Sequence, residues 1–119
     1  MTSEKPTKTR VSDFTNALPK CWSLKSSTLW TANNPAAGHC GVTTLVAHDL
    51  FGGEIRKTRY GDIWHFYNVI EGDRYDFTDS QFALPLDYED TESNRDEAFA
   101  DTNNEQYIHL RNSVLRILS

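Results

Sequence analysis

Cys40, His65 and Asp76 are the three residue types that acyl transfer through a thiol requires, and they occur in that order along the chain. Each has a separate task. Cys40 attacks an acyl carbon, His65 takes the thiol proton and later gives one to the leaving group, and Asp76 orients the imidazole and favours its charged form. A thiol is a useful nucleophile only as thiolate. The stretch Asn33-Asn34-Pro35-Ala36-Ala37-Gly38-His39-Cys40-Gly41-Val42-Thr43-Thr44-Leu45-Val46 reads as a Pro- and Gly-bearing loop that delivers Cys40 to the first turn of an apolar helix. There the free N–H groups and the positive end of the helix dipole favour an anion. The backbone N–H of Cys40 is one candidate oxyanion donor, and the side-chain amide of Asn34 is the other.

These three residues need elements to carry them. A helix is expected from Cys40 to Phe51, with Leu45, Val46, Leu50 and Phe51 toward the core and Gly52 as its left-handed terminator. Strands follow at Glu54–Tyr60 and Ile63–Ile70, and Glu71-Gly72-Asp73 turns the chain into a third, Arg74–Thr78. His65 and Asp76 thus fall on consecutive antiparallel strands. With Glu71-Gly72 as the tight turn, Asp76 lies opposite Tyr67 and one diagonal step from His65 on the same face, roughly 7–8 Å between backbones. With Gly72-Asp73 as the turn they share a face but sit too far apart without a bulge. The sequence leaves that register open.

Upstream, residues 1–10 read as a solvated arm and residues 11–119 as one domain. Val11, Phe14, Leu18 and Trp22 recur at helical spacing, with Ser12 as a cap and a break at Pro19, where a second short helix begins. Downstream, the acidic run from Asp87 to Asp101 reads as a solvated face carrying a short helix, Ser93–Ala100. Asn104 caps a last helix whose buried side holds Tyr107, Leu110, Val114 and Ile117. Cys21 is expected to pack beside Trp22, and His39 and His48 to lie at the surface.

Composition bounds the function. A chain of 119 residues with 38% apolar and 12% aromatic content holds one core. A formal net charge of −5, with no basic cluster beyond the first ten residues, disfavours nucleic acid as the partner. No 18-residue apolar run and no apolar leader is present, so neither a membrane nor secretion is expected, and the cytoplasm is. In that compartment Cys21 and Cys40 are expected as free thiols. Cys40, His48 and His65 lack the short spacings of a metal site, and because the nucleophile and base are both protein groups, neither metal nor organic cofactor is expected.

A wider set of motifs resembles the YunG-like bacterial family: Asn34-Pro35-x-x-Gly38-x-Cys40-x-x-Thr43, Phe51-Gly52-Gly53-Glu54-Ile55, Trp64-His65-Phe66-Tyr67-Asn68, Arg74-Tyr75-Asp76-Phe77-Thr78 and Gln81-Phe82. That resemblance covers residues 18–110. More distantly, a Cys, a strand His and an Asp-x-Thr on the next strand look like the transglutaminase-like and papain-like cysteine hydrolases. The resemblance implies an α+β fold, with helices packed on one antiparallel β-sheet and the nucleophilic Cys40 at a helix N-terminus. It also implies His65 as base and Asp76 as orienting acid. In papain-type enzymes an amide side chain lines the oxyanion hole six residues before the nucleophile. Asn34 falls there, where a longer Gln is usual. His39 departs from the Gln expected before the YunG-like cysteine.

The expected activity is hydrolysis of a peptide or side-chain amide through a thioester, on a protein or peptide substrate. Transglutaminase- or deamidase-type transfer on Gln is the alternative. From another class, the chain would be a catalytically inactive binding module of the same fold, or a regulatory partner using its acidic face.

Overall fold

A computed structural model describes residues 7–119, and the first six residues of the expected arm lie outside it. The described elements are α1 (Thr7–Cys21), α2 (Cys40–Phe51), β1 (Glu54–Tyr60), β2 (Ile63–Ile70), β3 (Asp73–Tyr75), a single 3-10 turn (Asp79–Gln81), β4 (Thr91–Ser93), α3 (Arg95–Ala100) and α4 (Asn104–Leu118). The fold is α+β, with a four-stranded sheet in the order β3-β2-β1-β4 and every pairing antiparallel.

Two expectations about α1 are corrected. It begins at Thr7, inside the expected arm, which makes Ser12 an interior residue and not a cap. It also runs through Pro19 to Cys21 without a second start. A proline in the last turn removes one backbone bond, and the burial of Phe14, Leu18 and Cys21 on one face outweighs that loss.

The β2–β3 hairpin is where the register is decided. Glu71 and Gly72 both take positive φ, 52° and 82°, as a two-residue hairpin loop of the type I′ kind requires. Ile70 then pairs with Asp73 and Asn68 with Tyr75. Continuing that register sets Asp76 opposite Tyr67, the nearer of the two geometries. β3 is shorter than expected, because the chain leaves the sheet after Tyr75.

The two faces of the sheet are covered differently. On one, Phe66 packs with Cys40, Leu45, Ile55 and Ala98, and Asn68 Nδ2 donates to the Thr44 carbonyl of α2 at 3.1 Å. Strand alternation sends His65 and Tyr67 to the other. There the 82–90 connector covers them: Phe82 sits edge-on to the His65 ring at 4.8 Å, and Tyr67 OH donates to Asp90 at 2.6 Å. A second core, where α1, α2 and α4 meet, gathers Phe14, Leu18, Val46, Leu110 and Val114. Ile117 is exposed, a correction to the buried side expected of α4. The cap of α4 is Asn103, one residue earlier than expected, accepting from Gln106 N at 2.9 Å.

Candidate active site

Cys40 is the first residue of α2 and 8% exposed. Nearly every residue of the helix's first two turns is buried, so the helix is held by its surroundings on all sides. Its second residue is Gly41. A Cβ there would lie 2.6 Å from Asp101 Oδ2 and 2.8 Å from the Ala98 carbonyl. The glycine therefore lets the C-terminal end of α3 rest directly on the start of α2.

That contact determines what the thiol touches. Cys40 Sγ donates to Asp101 Oδ2 at 3.3 Å, and Gly41 N–H donates to the same oxygen at 3.1 Å. The Phe66 amide also faces the sulfur and favours its anion, but burial and the Asp101 charge outweigh it and push the thiol pKa well up. Asp101 is exposed as a residue, so its outer side is wet while Oδ2 is turned inward. The inward setting raises its pKa, and the hydrogen bonds from Cys40 and Gly41 oppose that rise, with a smaller contribution from His65.

His65 is held at one nitrogen. Its Nε2 lies 2.7 Å from Asp76 Oδ2, with the two side chains 1% and 4% exposed. Its buried Nδ1 has no hydrogen-bond partner. Asp76 is saturated with donors. Tyr88 OH reaches Oδ2 at 2.8 Å, and the Thr78 amide reaches Oδ1 at 3.2 Å in a local Asx turn.

The structure thus joins His65 to Asp76 and puts Asp101 on the thiol. Cys40 and His65 share no hydrogen bond. They approach β2 at neighbouring residues, the sulfur against the Phe66 amide and the imidazole on the face away from α2. Asn34 Nδ2 donates to the Gln81 carbonyl at 3.2 Å, tying the Cys40 loop to the turn after Asp76. The Gln81 side chain lies beside the same loop, its Oε1 3.4 Å from Gly38 N and its buried Nε2 without a partner.

Two clefts flank the site. One of about 560 Å³ runs behind the imidazole, bordered by Arg74, Asp76, Phe82 and Tyr88. The other, about 410 Å³, opens beside the thiol between Lys57, Trp64, Phe66, Ala100 and Asp101. The thiol-side cleft is the one whose wall carries a group bonded to Cys40. Trp64 in that wall has Lys57 Nζ and the Arg59 guanidinium at 4.4 and 4.3 Å from its ring centre.

The profile of the YunG protein family matches residues 10–119. A relative from Bacillus subtilis (strain 168), the uncharacterized protein YunG, is 54% identical over 99 residues, which span 83% of this chain and 86% of the relative. The chain belongs to the YunG family. No solved structure matches it.

In this YunG family member three expectations about nearby residues are corrected. His39 is fully buried, its Nε2 2.8 Å from Ser26 Oγ, and burial lowers its pKa to about 4. It is neutral at neutral pH and lends the thiol no positive charge. The acidic 87–101 stretch is not merely a solvated face, since Asp90 holds Tyr67 and Asp101 holds Cys40. His48, expected at the surface, is half-buried with Nδ1 3.0 Å from Arg95. Asp101 escaped the sequence reading, although one signal pointed to it. A glycine in the first turn of a helix costs about 1 kcal/mol against alanine, and such a residue marks a close approach. Among the described residues no group of His, Cys, Asp and Glu is arranged to hold a metal ion. No described helix is long and apolar enough to cross a membrane.

Proposed function

We propose that the chain is a cysteine-dependent amide hydrolase in which Cys40 is the nucleophile, His65 the base and Asp76 the acid that orients it. The observation that carries this reading is the imidazole. A buried carboxylate anchors one nitrogen at 2.7 Å while the other is buried and unspent, as a base awaiting a proton needs. His39 also keeps a buried Nδ1 without a partner, so the carboxylate at Nε2 is what sets His65 apart. The seat of Cys40 at the head of α2, facing the Phe66 amide, adds support.

The chemistry runs as follows. The Cys40 sulfur attacks the amide carbonyl carbon, and the thiol proton passes by way of water to His65, whose ring lies on the other face of β2. His65, now imidazolium, returns it to the departing amine as the C–N bond breaks and a thioester forms. Water then adds to the thioester with His65 as base, releasing the carboxylic acid and the free thiol. An amine in place of water would give transglutamination, and a Gln side chain as substrate would give deamidation. We take the substrate to be a protein or peptide entering the Trp64 cleft, and the compartment to be the cytoplasm, in keeping with the two free cysteines.

Thiol-directed activity probes applied to cell extracts, with wild type beside Cys40→Ala, test the reading. Any amidase activity found should vanish in the variant. His65→Ala should raise the pH at which Cys40 alkylates, because an imidazolium favours a neighbouring thiolate. An unchanged profile removes His65 from the site. The raised thiol pKa and the Asp101 contact favour a second reading, a binding module without turnover. Alkylation of Cys40 only at strongly alkaline pH in every variant is the result that reading expects.

A further inference from the structure

Asp101 has no part in the three-residue scheme, yet it makes the hydrogen bond to the nucleophile. Its position is specific. One oxygen accepts both the Cys40 thiol and the Gly41 amide, and Gly41 lacks the Cβ that would bar it. The amide it covers lies in the first turn of α2, where an anion is favoured. A carbonyl oxygen turning into an oxyanion beside the sulfur would seek donors of this kind.

We propose that Asp101 is a positioning residue that masks the site: its carboxylate keeps the proton on Cys40 and fills the acceptor position at Gly41 N–H, which the carbonyl oxygen of an amide substrate takes over when it displaces Asp101. The proposal rests on the hydrolase reading for its substrate but not for the mask itself. Asp101 is suited to leaving. It sits in the turn that ends the six-residue α3, its outer side is in water, and it borders the thiol-side cleft through which a substrate approaches. Displacement breaks two hydrogen bonds to the carboxylate and forms one from Gly41 N–H to the carbonyl oxygen. In the hydrolase reading the thiol proton then leaves by way of water for His65 Nδ1, which lies on the other face of β2 and has no hydrogen-bond partner.

The other charges around the pair do not account for the mask. Lys57 of β1 is engaged by Glu97 of α3 at 2.9 Å, His39 is neutral, and Asp62 lines the cleft without acting on the thiol pKa. Among the described residues, His65 of β2 is the charged neighbour that lowers the Asp101 pKa and so helps keep its carboxylate ionised.

Iodoacetamide alkylation of the full chain across pH, with Cys40 and Cys21 separated by peptide mass spectrometry, tests the mask. Asp101→Asn keeps the shape and an acceptor for Gly41 while removing the charge. Cys40 should then alkylate at least ten times faster at pH 7, with its profile displaced downward by a unit or more. Asp101→Ser should do the same, and thermal melts of both variants show whether they are folded. An unchanged Cys40 profile in folded Asp101→Asn and Asp101→Ser overturns the proposal. His65→Ala, made in wild type and in Asp101→Asn, separates the two readings. If His65 is the base, its loss raises the profile in both backgrounds. If His65 is not the base, its loss changes nothing while the Asp101 effect remains, so the mask survives the failure of the triad.

Discussion

Asp76 and Asp101 are the two carboxylates of the site, and they are held in opposite ways. Asp76 is buried and accepts from the His65 ring, the Tyr88 hydroxyl and the Thr78 amide. Asp101 is exposed, and its inner oxygen has only a weak thiol donor and one amide. Three strong donors make the first carboxylate a fixed part of the scaffold, since losing it leaves several buried groups unpaired. The second is held by fewer and weaker donors, as the proposed mask requires, and its charge adds to the burial that raises the thiol pKa. Under the proposed function, fixing His65 as a base needs saturation, whereas covering Cys40 as a nucleophile needs a contact that a substrate can outcompete.

The sharpest test of that contrast is stability. Asp76→Ala strands the His65 Nε2, the Tyr88 hydroxyl and the Thr78 amide, and should destabilise the chain by about 3–5 kcal/mol. Asp101→Asn should shift stability by less than about 1 kcal/mol. Urea unfolding of the two variants decides between them, and equal losses would erase the distinction.

Much of this arrangement was legible beforehand, because it rests on local rules. The helix at Cys40–Phe51 and the strands Glu54–Tyr60 and Ile63–Ile70 follow from an apolar run closed by Gly52, from Gly61 and from alternating aromatics. The hairpin loop at Glu71-Gly72 was one of two allowed registers, and only the pairing of Ile70 with Asp73 in the structure selects it. The sequence also offered no means of seeing that α3 ends against α2, since Asp101 and Cys40 are brought together by tertiary packing across 61 positions. His39 was misplaced for the same reason. A polar residue in a Gly-Pro loop reads as exposed until Ser26 is found to face it from another segment.

The two imidazoles repeat the contrast between the carboxylates. His65 has an acid partner, while His39 is buried with a serine hydroxyl and is neutral. Burial lowers the His39 pKa to about 4, below its unfolded value of 6.5. Below pH 6.5 the unfolded chain therefore takes up a proton that the folded chain refuses. Stability from this residue is complete above pH 6.5 and is lost as the pH falls toward 4, by about 3 kcal/mol. His39→Gln should flatten that part of the curve relative to wild type, read from urea midpoints between pH 7 and 4. A wild-type and variant pair with parallel curves would mean that His39 is protonated in the fold, and it would then supply the positive charge the thiol is argued to lack.

The finest test lies at Gly41, where Asp101 is seated by the absence of a side chain and not by a surplus of donors. Alanine there would put a Cβ 2.6 Å from Asp101 Oδ2 and 2.8 Å from the Ala98 carbonyl, so α3 or the carboxylate must yield. The expected cost is about 1–3 kcal/mol, partly offset by the better helix propensity of alanine. The informative readout is Cys40 alkylation. Gly41→Ala should speed it at pH 7 in wild type by pushing the carboxylate away, and should add little once Asp101→Asn has removed the charge. Full additivity of the two substitutions would show that the glycine acts on Cys40 by a route other than Asp101, and the movable carboxylate would lose its structural basis.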